Sequence, residues 1–168
     1  MDKVQPKKAP AWRMSAWLNT RSPIGLEVQH GRVVVACAFQ MLCPGCVAQA
    51  LPQLKAVHQR FASDDMLVVG LHTVFEHHEA MTIAALKAFL YENQIQLPVG
   101  VDQHVAGGGS VPQTMAAYRM RGTPTWLLID RAGNLRRQVF GHIDDLMLGA
   151  EITRLALEPQ TLATASNG

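Results

Sequence analysis

Residues 32–46 read RVVVACAFQMLCPGC, which places a C-x-x-C motif directly after a run of strand-forming residues. The run over 33–39 is apolar on both faces, which predicts a buried central strand. Residues 47–61 follow with apolar side chains at helical spacing. A strand that turns into a helix here places Cys43 at the helix N-terminus, where unpaired N–H groups and the helix dipole favour a thiolate. The stretch therefore predicts a redox-active dithiol formed by Cys43 and Cys46.

The composition is that of a globular protein. Of the 168 residues, 48% are hydrophobic and 17% are charged, and this length suits one domain with its own core. The net charge of +2 is too small to indicate nucleic acid or a membrane surface as partner, and no stretch approaches the roughly 20 apolar residues of a membrane span. Three cysteines are too few for a disulfide scaffold, so the C-x-x-C indicates a redox motif.

We expect one folded domain over 16–158, with a flexible lead-in over 1–15 and a flexible tail over 159–168. No internal repeat and no linker divides the chain. No apolar targeting segment follows Met1, so we expect a cytoplasmic protein, or a periplasmic one if a signal peptide was removed.

Strands and helices alternate along the chain. Strands are predicted over 24–28, 33–39, 66–74, 98–102, 126–130 and 135–140, and helices over 44–61, 78–93, 112–119 and 145–157. Asp144 or Asp145 is expected to cap the last helix. Strands separated by helices imply parallel pairing, and the late hairpin adds antiparallel strands. The predicted fold is α/β, a central mixed sheet with helices on both faces.

Two motifs together resemble the thioredoxin superfamily. They are Cys43-Pro44-Gly45-Cys46 after one buried strand and Gly122-Thr123-Pro124-Thr125 before another, and the resemblance covers roughly 17–157. Within that superfamily the chain resembles the TlpA-like (redoxin) thiol–disulfide oxidoreductases, which insert an extra helix and strand, as residues 78–102 do here. Residues 17–19 and 69–72 also resemble the thioredoxin-like domain of NHL-repeat proteins, although no repeats follow.

The resemblance implies a thiol–disulfide oxidoreductase that needs no cofactor. It makes Cys43 the exposed nucleophile and Cys46 the resolving thiol, with Pro44 and Gly45 as the dipeptide that tunes their potential. The two-residue spacing brings both sulfurs within disulfide reach, so a mixed disulfide on Cys43 can be resolved by Cys46.

The same resemblance implies that Pro124 is a cis-proline facing the disulfide, and that Thr123 offers its backbone to an extended substrate. The expected partners are protein or small-molecule disulfides and thiols, together with an electron donor. We expect a reductase, while the sequence leaves open the potential, the physiological substrate, the donor and the oligomeric state.

Three further residues are weaker candidates for the site. His72 ends a strand that should emerge near the active edge, and Trp126 directly follows Thr125, where packing is the competing role. Cys37 lies six residues before Cys43, where many thioredoxins carry a buried Asp that assists proton transfer. We expect Cys37 to be a buried inert thiol, with the consequence that proton transfer must use another group or water and that reactivity could be tuned differently.

Two other departures from the family pattern concern the first helix. Leu42 stands where a tryptophan often precedes the first cysteine. Pro52 lies six residues after Cys46 rather than the usual five, and a proline inside a helix is expected to kink it.

Other functions stay open at this stage. A peroxiredoxin-like peroxidase would carry a Thr or Ser before its reactive cysteine, whereas residues 39–42 read FQML and offer no hydroxyl. A thioredoxin-like binding module with incidental thiols is the other alternative, and the intact C-x-x-C argues against it. We expect no metal, since a structural zinc site needs four ligands and no second C-x-x-C or paired-histidine motif is present.

Overall fold

The computed structural model describes residues 7–159 and contains one six-stranded sheet with helices packed against it. In chain order the strands are β1 (Met14–Leu18), β2 (Val33–Phe39), β3 (Met66–His72), β4 (Val99–Asp102), β5 (Thr125–Ile129) and β6 (Leu135–Phe140). The helices are α1 (Leu51–Phe61), α2 (Ile83–Glu92), α3 (Gln113–Ala117) and α4 (Asp145–Leu157). None of the helices within 7–159 is long and apolar enough to cross a membrane.

The sheet has the strand order β1-β4-β3-β2-β5-β6. Strand β2 pairs in parallel with β3, and β3 pairs in parallel with β4. The other three pairings, β1 with β4, β2 with β5 and β5 with β6, are antiparallel. The mixed α/β sheet predicted from the sequence is confirmed, and α2 with β4 forms the helix–strand insertion that the resemblance implies.

Strand β2 occupies the centre of the sheet and is buried on both faces. Val35, Cys37 and Phe39 point to the face covered by α1, α2 and α4. Val34 and Ala36 point to the other face, which is covered by α3 and the N-terminal segment. This alternation follows from the two-residue period of a strand. Because β2 is held on both sides, the segment that follows it starts from a rigid position.

The predicted edge strand over 24–28 is wrong. Leu26–Val28 forms a short 3₁₀ turn, and the edge of the sheet is instead β1, paired with β4. Gly100 gives room for the side chains of β1, because a Cβ there would lie 2.9 Å from Sδ of Met14 and 3.0 Å from Cη2 of Trp17. The alternation of apolar residues over 24–28 could not show which segment finds a partner.

The N-terminal segment also differs from the expected flexible lead-in. Residues 1–6 of that lead-in, and 160–168 of the predicted tail, lie outside the described residues. Ala9 donates its N–H to the Gly133 carbonyl at 2.9 Å, and Trp12 is buried in the core. Residues 7–15 therefore pack against the hairpin turn and the sheet.

Two helix starts illustrate the value of capping residues. Asp144 Oδ1 accepts the N–H groups of Leu146 and Met147, which confirms the predicted cap of α4. The predicted helix over 78–93 begins later than expected, at Ile83, where the Thr82 hydroxyl accepts the Ala85 N–H at 3.2 Å.

Candidate active site

The C-x-x-C motif lies where the chain leaves β2 and enters a helix. The Cys43 N–H donates to the Gln40 carbonyl at 3.1 Å, which closes a turn after the strand. The Cys43 carbonyl accepts the Val47 N–H at 3.0 Å, so the helical hydrogen bonds begin at this cysteine. Pro44 occupies the first helical turn, where its missing N–H leaves no unpaired donor.

The two cysteines of the motif have different surroundings. Cys43 is partly exposed, whereas Cys46 is fully buried beneath it. The Cys46 N–H points at the Cys43 sulfur at 3.3 Å, and the Cys43 thiol donates to the Thr123 carbonyl at 3.5 Å. Both cysteines are free thiols in this structure. A partner molecule can therefore reach Cys43, while Cys46 can be reached only through Cys43.

The Cys46 thiol is held in its protonated form. Burial raises its pKa, and a hydrogen bond with the Cys43 side chain raises it further, to about 12. Hydrogen bonds from the main chain of Gln40 and the side chain of Thr123 act in the opposite direction, because they favour the thiolate. Any reaction at Cys46 must therefore include loss of this proton.

The second sequence motif forms a loop beside the cysteines. The Thr123–Pro124 peptide bond is cis, as the resemblance implies. The Pro124 ring faces the C-x-x-C turn, because a Cβ on Gly45 would lie 3.8 Å from Pro124 Cδ. The structure thus brings together all six residues that the sequence analysis placed at the centre of the site: Cys43, Pro44, Gly45, Cys46, Thr123 and Pro124.

The helix after Cys46 contains a π-helical turn over Cys46–Ala50, and α1 follows it directly. The Leu51 N–H bonds to the Cys46 carbonyl, five residues back rather than four. This wider turn accommodates one extra residue and ends just before Pro52, which has no N–H to donate. The kink expected at Pro52 stays a prediction.

Two of the weaker candidates, Cys37 and Trp126, lie in the core. They face each other across β2 and β5, and their exposed fractions are 0% and 1%. Burial raises the pKa of Cys37 well above its ordinary value, and the neighbouring sulfurs of Cys46 and Cys43 raise it further. Neither side chain lies on the surface that a substrate would reach.

The third candidate, His72, supports the segment before Cys43. Its Nε2 accepts the Met41 N–H at 3.4 Å, and its ring centroid lies 5.3 Å from that of Phe39. Burial lowers the pKa of His72 from 6.5 to about 4, so the ring is neutral near pH 7. It acts here as an acceptor for the main chain.

Sequence reasoning missed Gln40, which is buried at the same edge of the sheet. Its Oε1 accepts the Phe75 N–H at 3.1 Å, and its Nε2 lies 3.4 Å from the Thr123 hydroxyl. A glutamine inside an otherwise apolar run, three residues before Cys43, was the available signal.

The surface around the site is open and partly apolar. Leu42, next to Cys43, is 54% exposed, and Phe140 is 48% exposed. Phe140 packs on Gly122, since a Cβ there would lie 3.0 Å from its ring. Across residues 7–159, no group of three or more His, Cys, Asp or Glu side chains is arranged to hold a metal ion.

The chain is similar to solved structures of thioredoxin-like proteins. The thioredoxin-like superfamily protein SPOA0173 is 52% identical to it with a TM-score of 0.88, over 91% of this chain and 98% of that one. A thiol-disulfide isomerase from Corynebacterium glutamicum is 42% identical with a TM-score of 0.84, over 90% of this chain and 98% of the isomerase. StoA from Bacillus subtilis, 18% identical with a TM-score of 0.64 over 86% of this chain and 98% of StoA, shares the fold. No protein-family model matches the sequence, and the comparison with curated proteins gives no match.

Proposed function

Because the chain belongs to the thioredoxin-like superfamily, we propose that it is a thiol–disulfide oxidoreductase whose chemistry is carried by Cys43 and Cys46. The observation that carries this proposal is the asymmetry of the two thiols. A partly exposed sulfur on Cys43 receives the N–H of Cys46, whose own sulfur is buried directly behind it. One thiol is placed to meet a substrate and the other to complete the reaction.

In the first step the Cys43 thiolate attacks one sulfur of a substrate disulfide. The substrate S–S bond breaks, one substrate thiolate leaves, and a mixed disulfide with Cys43 forms. In the second step Cys46 gives its proton to water and attacks the Cys43 sulfur, which breaks the mixed disulfide and releases the second substrate thiolate. The protein then carries a Cys43–Cys46 disulfide and the substrate has gained two electrons, so a thiol-containing donor must restore the dithiol.

The role of the cis-proline loop follows from its position. The Thr123 carbonyl already accepts a hydrogen bond from the Cys43 thiol, so it lies beside the reacting sulfur. An extended segment that carries the substrate disulfide would pair with the main chain there. The exposed Leu42 and Phe140 suit a protein substrate with apolar residues near its cysteine.

We propose the reductase direction. A dithiol protein is a strong oxidant when its reduced form is stabilised, for example by a low thiol pKa. The Cys46 thiol, whose pKa burial raises to about 12, gives the reduced form no such stabilisation at neutral pH. A redox titration of the Cys43–Cys46 pair against glutathione measures the direction. A potential near about −270 mV supports a reductase, and one near about −120 mV supports an oxidase.

The assignment itself is tested with serine variants in an insulin-reduction assay. Cys43→Ser should abolish reduction, and Cys46→Ser should accumulate mixed disulfides that are visible by mass spectrometry. Cys37→Ser is the matched control, because it removes a buried thiol from the same core without touching the motif. Retained activity of Cys43→Ser would refute the proposal.

Neither alternative function is favoured by the site. The segment before Cys43 has no hydroxyl to position a peroxide, so hydrogen peroxide consumption should be negligible. A binding module with incidental thiols would show no mixed disulfide with Cys46→Ser.

A further inference from the structure

The cis-proline loop and the end of β6 are joined into one surface beside the dithiol. The Gly141 N–H donates to the Pro124 carbonyl at 2.8 Å, and the Thr125 hydroxyl donates to the Gly122 carbonyl at 2.7 Å. Phe140, the last residue of β6, pairs with Thr125 in the sheet. Because these bonds hold the main chain on both sides of the loop, the loop and the strand end keep a fixed place relative to each other.

The Phe140 ring lies over the start of this loop. A Cβ at Gly122 would lie 3.0 Å from Cε2 and 3.3 Å from Cζ of the ring, so the missing side chain lets the ring lie close to the main chain. Gly122 precedes Thr123, whose carbonyl oxygen is 3.5 Å from the Cys43 sulfur. The half-exposed ring therefore borders the place where a substrate disulfide meets Cys43.

Arg121 adds a positive charge at the same place. Its guanidinium carbon lies 5.5 Å from the centroid of the Phe140 ring, within the distance of a cation–π contact. Arg121 is exposed, and no carboxylate of residues 7–159 forms an ion pair with it. The ring holds the cation beside the loop without neutralising its charge, which leaves the guanidinium free to bind a carboxylate of another molecule.

The opposite side of the loop carries the opposite charge. Gln40 Nε2 lies 3.4 Å from the Thr123 hydroxyl and 3.4 Å from the carboxylate of the exposed Glu76, which follows β3. A segment that crosses the loop at Thr123 therefore meets a carboxylate toward β3 and a guanidinium toward β6. An acidic residue is attracted at one end of such a segment and repelled at the other.

We propose that Arg121 determines substrate specificity by selecting extended segments that carry a carboxylate two residues from the cysteine, on the side that passes Phe140. The inference rests on the proposed thiol–disulfide exchange and gives it a substrate class, protein disulfides in acidic segments. Residues two apart in an extended segment point to the same side and are separated by about 7 Å. When the substrate cysteine faces Cys43, the side chain two positions away therefore also faces the protein.

Symmetric disulfides of short blocked peptides test this selection. The peptides have the sequence Ala-Ala-Cys-Ala-Ala, with Glu or Gln in place of either the first or the last alanine. The reduced protein converts each peptide disulfide into two peptide thiols and itself forms the Cys43–Cys46 disulfide, so no further reductant is needed. Chromatography of the released peptide, with the peptide disulfide in excess, gives a second-order rate constant for each substrate.

The quantity to compare is the ratio of the rate constants for the Glu and Gln peptides. At one of the two positions this ratio should be about fivefold higher for the wild-type protein than for Arg121→Gln, as expected for a partly exposed ion pair. At the other position the two proteins should give the same ratio. Comparison of the two proteins cancels the intrinsic effect of a glutamate on the reactivity of the disulfide. Salt at about 0.5 M should reduce the difference, because it screens exposed charges.

Arg119→Gln provides the matched control. Arg119 is also an exposed arginine and lies two residues earlier in the chain, so the variant removes the same charge but keeps the guanidinium over Phe140. Its ratios should equal those of the wild-type protein. An equal fall in this control, or an equal fall at both peptide positions, would indicate long-range attraction alone and overturn the proposal.

Two further outcomes separate this inference from the function on which it rests. Wild-type ratios in Arg121→Gln, with all peptides reduced, would refute the role of Arg121 and leave the oxidoreductase assignment in place. Failure of the wild-type protein to reduce any of the peptides would instead refute the proposed dithiol function.

Discussion

The two ends of the sheet are held together by different chemistry. At the end where β2 finishes, the buried polar side chains of Gln40, His72 and Thr125 are neutral, and the buried carboxyl of Asp102 lies further along the same edge, at the end of β4. At the opposite end, where β5 finishes and β6 begins, charged side chains form a connected network around Asp130. Both ends join loops to the same strands, but the ion pairs of Arg136 with Asp130 and Glu158 lie at the second end.

The charged end is rich in short contacts. Asp130 accepts N–H groups from Ala132 and Asn134, and Arg136 donates to Asp130 at 3.2 Å and to both carboxylate oxygens of Glu158 at 2.6 and 2.8 Å. Although partial burial raises the pKa of Asp130, these hydrogen bonds lower it overall. Arg131 donates to carbonyls at the end of α4, which ties this helix to the hairpin.

The difference concerns the groups that surround the two cysteines and those that surround the hairpin. At the hairpin end a carboxylate is surrounded by donors and stabilises the loop. At the dithiol end a fixed charge would act on the protonation of the sulfurs, because electrostatic effects are strong in a buried environment. Neutral hydrogen-bonding groups hold these loops in place without biasing the thiols in that way.

The largest effect should come from placing a charge at the neutral end. Cys37→Asp puts a carboxyl group into a site with 0% exposure, and we expect a loss of about 4 kcal/mol of unfolding free energy at pH 7.5. Burial raises the pKa of such a group, so the loss should shrink as the pH falls toward 5. Urea unfolding at both pH values, with Cys37→Ser as the neutral control, measures it. Equal stability of the two variants at pH 7.5 would contradict the prediction.

Protonation of His72 at acid pH should also lower the free energy of unfolding. Its pKa is lowered from 6.5 in the unfolded chain to about 4. Its contribution to the free energy of unfolding is therefore present above pH 6.5 and is lost as the pH falls toward 4. This loss amounts to about 3 kcal/mol. His72→Gln keeps an acceptor for the Met41 N–H but cannot be protonated, so its stability should fall less steeply over the same range.

Urea unfolding of both proteins across pH 4 to 7 is the measurement. The partly buried His58, whose pKa burial also lowers, is present in both proteins and cancels in the comparison. Parallel pH curves would show that His72 does not carry this dependence.

The charged end should show the reverse pattern, with loss of stability and no change in chemistry. Asp130→Ala leaves the N–H groups of Ala132 and Asn134 without their acceptor and removes one of the two carboxylates that Arg136 contacts, and we expect about 2 kcal/mol of destabilisation. The rate at which Cys43 reacts with the disulfide reagent dithiobis(nitrobenzoate), measured by the release of thionitrobenzoate, should be unaffected. A changed release rate in a folded Asp130→Ala protein would mean that the two ends are coupled.

The smallest effect should come from an exposed ion pair at the same end. Arg137 and Glu151 lie 3.5 Å apart, and the Arg137 side chain is 48% exposed. Solvent screens such a pair, so Arg137→Ala should change the unfolding free energy by no more than about 0.5 kcal/mol. A clearly larger loss would show that charge at the surface contributes more than the network around Asp130 suggests.

The sequence predicted the parts of the fold that depend on local pattern. The apolar run over 33–39, the C-x-x-C at a helix start and the cap at Asp144 are each specified by neighbouring residues, and the structure contains all three. The edge strand was misplaced because strand pairing is a long-range property. Strand β1 pairs with β4, which lies more than eighty residues away in the chain, and Met14 and Trp17 of β1 pack over Gly100 of β4.

The candidate site was predictable where a motif carried it. The prediction of a cis-proline rested on the family resemblance. A cis X-Pro bond occurs in only about 5–6% of cases, and no local sequence pattern indicates it. Gln40 and His72 were missed or undervalued in their supporting roles, because their partners are main-chain groups and a hydroxyl from distant loops. Such contacts between distant loops produce no characteristic residue spacing in the sequence.

The π-helical turn over Cys46–Ala50 also affects how this chain should be aligned with its relatives. A thioredoxin-like chain with its proline five residues after the second cysteine, the spacing that the family resemblance implies, would have one residue fewer in this turn. An alignment that forbids a gap inside this helix would rotate every following residue of α1 by about 100° from its true counterpart. Substitutions inherited along the helix can be compared correctly only when the gap is placed within those five residues.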